Sequence, residues 1–322
     1  MTGSALPITP AGAYEPADDL AVVACFFNSE NFQSKRLALE TFCSSLETSP
    51  LAFYRAEVAY GSADFVLPAG DCVLQIRADD VMWQKERLLN LLVARLPERY
   101  TKVAWLDADI LFERPSWASE TSRLLDEYAV VQPYSHAFRL RPGQVDYTGR
   151  GDPWLSYAAV RSALPAFARH GPYWAHGHPG YAWAARRDVL RVVGLYDAAV
   201  MGTADDLMAH AFGGDFASEC LRHTFLGNAA YLEHYRQWAE SAFDLVRGRI
   251  GVVDGAALHL WHGELGNRGY GARKVDLVSL GYDPVRHLRA NADGMWSWSS
   301  TAALIRETCA TYFASRREDQ VG

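Results

Sequence analysis

Two carboxylates set into an apolar stretch, VAWLDADILFERPSW at residues 103–117, constrain this chain more than any other feature. Val103–Leu106 is short, apolar and bounded by a polar break, the pattern of a strand buried on both faces. A strand that ends in Asp107 and Asp109 puts both acids at its carboxyl edge, where open α/β sheets bind ligands. Residues two apart in a strand share a face, so both acids can address one ligand. Adjacent negative charges repel unless a cation or strong donors compensate them. A divalent metal carrying phosphates supplies that compensation, since Mg²⁺ and Mn²⁺ take oxygen ligands from carboxylates and phosphates together. A helix cap or a turn also accepts Asp. A helix-start aspartate, however, usually follows a polar loop rather than four apolar residues.

The rhythm upstream supports the strand. Leu20–Phe27 (LAVVACFF) is a continuous apolar run ending in Asn28-Ser29-Glu30-Asn31, which is loop or cap chemistry. A helix is expected over about Ser34–Leu46, strands over Phe53–Tyr60 and Val73–Ile76, and a helix over Asp79–Leu96. That last segment has two acids at its start and Leu88, Leu89, Leu92 and Leu96 at helical spacing. Strand, helix, strand, helix, strand is the order of a nucleotide-binding α/β sheet. Past Val131 the rhythm changes. Residues 132–182 are rich in Pro, Gly, Tyr, Trp, His and Arg and read as long loops with little regular structure. Helical signal returns at Arg187–Val193 and Asp205–Phe212. Ala256–Trp261 is another apolar run, and Thr301–Arg317 reads as an amphipathic closing helix.

Bulk properties exclude several classes. With 322 residues, 49% apolar and 21% charged, the chain can bury a full core and is not disordered. A formal charge of −7 with no long basic block disfavours a nucleic-acid surface. Cys25, Cys43, Cys72, Cys220 and Cys309 are scattered and odd in number, which fits reduced thiols. The opening MTGSALPITPAGAYEPADD lacks a basic-then-apolar leader and reads as a loose arm over residues 1–18. No stretch approaches the roughly 20 apolar residues of a membrane span. A cytoplasmic location is the expectation.

Three further stretches carry chemistry. Lys85 and Arg87 in QKERLLN precede the acidic strand and would balance a diphosphate, or else form a solvated helix face. In the stretch that runs from His178 to His210, Asp205 and Asp206 open an expected helix. They read as a helix cap or as a general base for an attacking hydroxyl. In LHLWHGE, His259 and His262 lie three apart, on one face if helical and on opposite faces if extended. The following ELGNRGYGARK, with Arg268, Tyr270, Arg273 and Lys274, suits a flexible basic loop that closes over an anion.

With these stretches in this order, the chain resembles the GT-A class of nucleotide-sugar glycosyltransferases. The nearest pattern is the galactosyltransferase and chondroitin-polymerase-like branch, with the glycosyltransferase-2-like proteins of bacteria and phages. The resemblance covers about Leu20–Lys274. The family's DxD is matched by Asp107 and Asp109, its basic helix by Lys85-Glu86-Arg87-Leu88-Leu89-Asn90, and its Gly-rich strand by Pro179-Gly180-Tyr181-Ala182-Trp183. Its acidic loop resembles Gly202-Thr203-Ala204-Asp205-Asp206, and its late metal ligands resemble His259 and His262. The resemblance implies an α/β fold of GT-A type, a Rossmann-like mixed sheet flanked by helices, with an irregular acceptor-side half. It implies a nucleotide-sugar half at 19–131, an acceptor and catalytic half at 132–265, and a basic closing loop with a C-terminal helix at 266–322.

The implied activity is metal-dependent transfer of a sugar from a nucleotide donor, UDP by preference, to an acceptor hydroxyl, with inversion. Mn²⁺ or Mg²⁺ would be held by Asp109, His262 and His259. Asp107, Lys85, Arg87, Asn28, Arg268 and Lys274 would face the nucleotide. Asp205 or Asp206 would be the base, and Gly180, Tyr181, Trp183, Trp154 and Trp174 would line the sugar sites. Ala204 stands where many relatives carry Glu, so the choice between the two acids stays open. The acceptor class is open too, a nucleic acid being the less favoured. Rival readings are a nucleotide-sugar hydrolase, a nucleotidyltransferase on the same scaffold, and a non-catalytic carbohydrate-binding protein.

Overall fold

The apolar run before the paired acids is a strand with neighbours on both sides. The computed structural model describes residues 7–149, 151–164 and 175–320. Strands are numbered in chain order: β1 (Leu20–Phe27), β2 (Ala52–Tyr60), β3 (Val73–Ala78), β4 (Lys102–Leu106), β5 (Ile110–Phe112), β6 (Val130–Gln132), β7 (His136–Arg139), β8 (Trp154–Leu155), β9 (Ala182–Arg186), β10 (Ile250–Val252) and β11 (Ala256–His259). Among the described residues one sheet runs in the order β10-β6-β9-β4-β1-β2-β3. Its pairings are parallel except at β9, which is antiparallel to both β4 and β6. The mixed α/β architecture expected from the sequence is therefore present.

Every residue of β4 is buried. Side chains alternate across a strand, so Val103 and Trp105 enter one core while Ala104 and Leu106 enter the other. The first core is closed by helices Lys85–Val93, Arg187–Val193, Ala204–Gly213 and Ala229–Val246, through Leu88, Leu89, Leu190, Leu207 and Tyr235. Helices Gln33–Glu47 and Trp117–Leu125 cover the opposite face with Leu39, Phe42, Leu46 and Trp117. A second sheet, ordered β5-β11-β7-β8, adjoins that face. There β11 runs antiparallel to β5 and parallel to β7.

Four sequence expectations require correction. The helix expected from Asp79 begins only at Lys85. Residues before it are held by a hairpin of Leu288–Ala290 and Trp296–Trp298. Gln84 accepts from the Trp296 N–H at 3.0 Å and donates to its carbonyl at 3.1 Å, while Asp80 accepts from the Trp298 N–H at 2.9 Å. Those backbone-like bonds favour extended chain over a first helical turn. Second, the 132–182 stretch contains β7, β8 and the helix Tyr157–Ala163. Its aromatic and histidine content hid a strand pattern too short to show alternation. Third, Asp107 and Asp109 do not lie within one strand: β4 ends at Leu106 and β5 starts at Ile110. The acids occupy the bend that carries the chain from one sheet to the other.

Fourth, residues 7–18 pack against the body. Ile8 bridges to Tyr147. Tyr14 is 3% exposed, sits edge-on to Phe112 and Trp117 at 6.2 and 5.7 Å, and accepts from the Phe112 N–H through its hydroxyl. Tyr14→Ala is expected to lower unfolding free energy by about 3–5 kcal/mol, the usual cost of deleting a buried aromatic ring. Urea denaturation checks this; a loss under about 0.5 kcal/mol, typical of a surface position, would restore the loose arm.

Candidate active site

A cleft of about 640 Å³ opens where β1 and β4 end and β9 begins, a volume in the ordinary range of small-ligand sites. Four segments meet there: the Asp107–Asp109 bend, the start of helix Lys85–Val93, the start of helix Ala204–Gly213, and the end of β11 with the loop after it.

Sheet register brings the metal candidates together. Antiparallel pairing sets His259 opposite Ile110, and the Leu260 N–H donates to the Asp109 carbonyl at 2.8 Å. Beyond β11 the chain turns, so the two histidines converge although their spacing in an extended strand would part them. His262 Nε2 lies 2.9 Å from Asp109 Oδ2, and His259 Nε2 lies 3.8 Å from Oδ1. His262 Nδ1 faces Glu318 Oε2 at 3.2 Å, so a carboxylate flanks each ring nitrogen. Carboxylates gathered round an imidazole attract cations, and the Arg268 guanidinium lies 3.0 Å from Nε2. Asp109 Oδ1 is buried with no hydrogen-bond partner among the described residues. Oxygen and imidazole donors with an orphaned oxygen fit Mn²⁺ or Mg²⁺. Burial pushes the Asp109 carboxyl up, but His259, His262 and then Arg268 outweigh it and hold it well below the usual range.

Glu318 was not anticipated. It is 1% exposed, ion-paired with Arg316, and held at about 2 because His262, Lys35 and Arg316 overcome the effect of burial. Gly263 permits its approach: a Cβ there would meet the Glu318 Cα at 2.7 Å. The next residue, Asp319, accepts from the Gln33 and Ser34 N–H groups at 2.9 and 2.7 Å, capping a helix that has no side-chain cap of its own.

A second charge group lies beside the first. Lys85 is 6% exposed, and its ammonium donates to Asp107 Oδ1 at 2.9 Å and to both Asp205 oxygens at 2.8 and 3.0 Å, with Glu86 at 3.6 Å. Burial would strip its proton, yet Asp107, Asp205 and Glu86 together raise it well above an ordinary lysine. Burial and the charges of Asp205 and Asp109 lift Asp107 to about 6, against the opposing pull of Lys85. Gly180 closes the Asp205 side, where a Cβ would come 3.0 Å from the His178 ring and 3.5 Å from Asp205. Tyr181 stacks on His178 at 3.9 Å and accepts from Arg139 at 3.1 Å. Arg139, Arg268, Arg273 and Lys274 complete a basic wall.

Other expected residues are placed elsewhere. Arg87 turns from the cleft to Asp197 at 3.1 Å and the Gly294 carbonyl at 2.5 Å, its guanidinium over Trp296. Asn28 closes its own loop through two bonds to the Phe32 backbone. Trp183 is fully buried and donates to the Pro179 carbonyl, so no sugar can reach it. Trp154 is 47% exposed but stacked under Arg139, outside the cleft lining. Trp174 lies outside the described residues. Asp206 is 4% exposed and points to His176, His210 and Lys274 instead of Lys85. Sequence spacing gave no sign of Arg139 or His178, which reach the cleft only through the β7–β11 pairing and the turn before β9.

No protein-family model matches the chain, and no curated protein is significantly similar to it. Solved structures that it resembles include glucosyl-3-phosphoglycerate synthase from Mycobacterium tuberculosis with Mn²⁺, UDP-glucose and phosphoglyceric acid, at 14% identity over 88% of each chain and a TM-score of 0.40. Another is a mycobacterial protein, at 15% identity over 87% of this chain and 83% of that one, with a TM-score of 0.42. A third is a mutant of Drosophila β-1,4-galactosyltransferase 7 with manganese, UDP-Gal and xylobiose, at 12% identity over 59% of each chain and a TM-score of 0.31. Similarity at that level leaves the functional reading resting on this chain's own side chains.

Lys85→Met is expected to destabilise the fold by about 3 kcal/mol, because it strands the buried Glu86 and the half-buried Asp107 and Asp205 without their counter-ion. Adding Asp205→Asn should recover part of that loss. A double-mutant cycle by denaturation measures it, and simple additivity would refute the pairing.

Proposed function

We propose that the chain moves a sugar from a nucleoside-diphosphate donor, UDP by preference, to an acceptor hydroxyl, with inversion at the anomeric carbon. The observation that carries this reading is the convergence of Asp109, His259 and His262 beside the Lys85-Asp107-Asp205 group in one cleft. Asp109 and His262, with His259, would hold Mn²⁺ or Mg²⁺. When bound, that ion neutralises charge on a departing diphosphate.

The chain's own residues do the rest. Arg268, Arg273 and Lys274 would direct their charge toward the phosphates. Asp107 at the head of the bend accepts from ribose hydroxyls. Lys85 fixes the orientation of Asp205 through two short bonds, which places a carboxylate on the acceptor side. Asp205 takes the acceptor proton, a role for which Asp206 faces the wrong way. The Phe27 and Trp83 rings, edge-on at 5.3 Å, give the far end of the cleft an apolar wall suited to a base.

Two measurements test the reading. Thermal unfolding with nucleoside diphosphates should show stabilisation only when UDP and Mn²⁺ are both present, about 3 kcal/mol at a hundredfold excess over Kd. Asp109→Asn should abolish it. Asp205→Asn should keep that binding while lowering transfer about 10²–10⁴-fold. A flat response to every nucleoside diphosphate sinks the proposal, and donor cleavage with no transfer to any acceptor would make the chain a hydrolase. A separate check concerns Glu318: Glu318→Gln should weaken Mn²⁺ binding about 10–100-fold, as loss of a carboxylate behind a metal-binding histidine does. Calorimetry with UDP present reads it.

A further inference from the structure

Behind Asp205 lies a second cluster that the proposed reaction does not use. His176, Asp206, His210 and Cys220 are 0%, 4%, 0% and 3% exposed. Asp206 and His210 are one turn apart on helix Ala204–Gly213, so they share a face. Cys220 is the second residue of helix Glu219–Phe225, and His176 comes from the segment before β9. Their donor atoms lie within 4.8 Å of one another.

Three of the six donor–donor spacings match a coordination shell. His176 Nε2 is 3.2 Å from Cys220 Sγ and 3.6 Å from Asp206 Oδ1, and His210 Nε2 is 3.5 Å from the same oxygen. Tetrahedral zinc, with bonds of about 2.0–2.3 Å, separates its ligand atoms by about 3.3–3.6 Å. The Nε2–Sγ contact is a hydrogen bond, but the two imidazole–carboxylate contacts are too long to be good ones. Both Asp206 oxygens and His210 Nε2 have no hydrogen-bond partner among the described residues, the Lys274 ammonium standing 3.7 Å from Asp206 Oδ2. Leaving such groups buried and unsatisfied is costly.

Outer contacts aim the nitrogens inward. His176 Nδ1 lies 2.8 Å from the Gly177 carbonyl, which can only accept, so that nitrogen carries the proton and Nε2 is bare. His210 Nδ1 lies 3.3 Å from Asp215 Oδ2, near enough for that carboxylate to back the ring once a short adjustment makes the hydrogen bond. The two imidazoles stand at 86° with centroids 5.0 Å apart, and Tyr157 packs edge-on against both.

We propose that His176, Asp206, His210 and Cys220 bind a zinc ion, distinct from the metal set of Asp109, His259 and His262. A thiolate, two imidazoles and a carboxylate select zinc over Mn²⁺ or Mg²⁺. Binding releases the Cys220 thiol proton to solvent as the sulfur–metal bond forms. A full set of four protein ligands makes the site structural rather than catalytic. It would pin the first turn of helix Ala204–Gly213, and with it Asp205; only that consequence rests on the proposed function.

The test uses the full chain, loaded with zinc, passed through gel filtration and analysed for metal. Wild type and Asp109→Asn should each retain one zinc per chain, whereas Cys220→Ser and His210→Ala should lose it. Asp215→Asn should fold and bind zinc about 10–100-fold more weakly. Cobalt-loaded wild type should show a thiolate charge-transfer band that Cys220→Ser lacks. Should that variant fail to fold, mass spectrometry of wild type alkylated with and without zinc serves instead, Cys220 being the thiol that zinc shields. Wild type without stoichiometric zinc, a cobalt spectrum without the thiolate band, or unshielded Cys220 overturns the proposal. The cluster would then be a protonated His210 held between Asp206 and Asp215. Because Asp109→Asn removes only the nucleotide-side metal, failure of one site is distinguishable from failure of the other.

Discussion

One buried ammonium holds the cleft together. Lys85 is the first residue of its helix, and the carboxylates it meets come from the end of β4 and from the start of helix Ala204–Gly213. Three segments distant in the chain are thus tied at a single nitrogen. A lysine this deeply buried keeps its charge only because several acids surround it. The acids in turn could not crowd together without it. Another cation fixes the far end of that helix and the chain just after it: Arg187 donates to the carbonyls of Val93 at 3.5 Å and of Leu96, Pro97 and Tyr100 at 2.5, 2.6 and 3.1 Å. A helix anchored by charge at both ends sets the cleft floor with little freedom.

The bend at Asp107-Ala108-Asp109 then decides what faces the floor. Because it passes from one sheet to the other, its two acids look toward different partners. Asp107 joins the ammonium, and its N–H donates to the Tyr181 carbonyl at 2.7 Å. Asp109 joins the histidines of the second sheet. Strand register supplies the precision. The segment after the closing helix completes the arrangement, since Glu318 backs His262 and Asp319 caps the helix that follows β1. Segments nearly three hundred residues apart, at 33–34 and 318–319, therefore meet beside the cleft.

Much of this was legible in the residues alone. Apolar runs bounded by polar breaks located β1, β2 and β4, because buried parallel strands need continuous hydrophobicity. Asp109 with His262 came from the family resemblance, while Lys85 was expected against a diphosphate and its pairing with Asp107 and Asp205 was not foreseen. Arg87 and Asn28 were misplaced for one physical reason: a polar side chain near a motif satisfies the nearest backbone first, and sequence does not reveal where that backbone lies. Trp183 failed for another. An aromatic residue in a glycine-rich turn looks available, but β9 sits between β4 and β6, which buries it completely. Arg139, His178 and Glu318 were invisible because they reach the cleft by pairing across long sequence gaps.

The acidic pair at 205–206 shows how one helix turn separates two chemistries. Successive residues at a helix start point about 100° apart, so adjacent carboxylates cannot serve one site equally. Asp205 faces an ammonium and the open cleft, while Asp206 faces imidazoles and a thiol in the interior. Thr203, immediately before them, has φ of 82°, a left-handed conformation that β-branched residues rarely adopt. Local cost of that kind persists only where surrounding contacts over-determine the backbone. Contacts on both sides of the turn do so here, Lys85 pulling on one carboxylate and the histidine cluster on the other. The placement of the proposed base therefore depends as much on what Asp206 binds in the interior as on what Asp205 meets in the cleft.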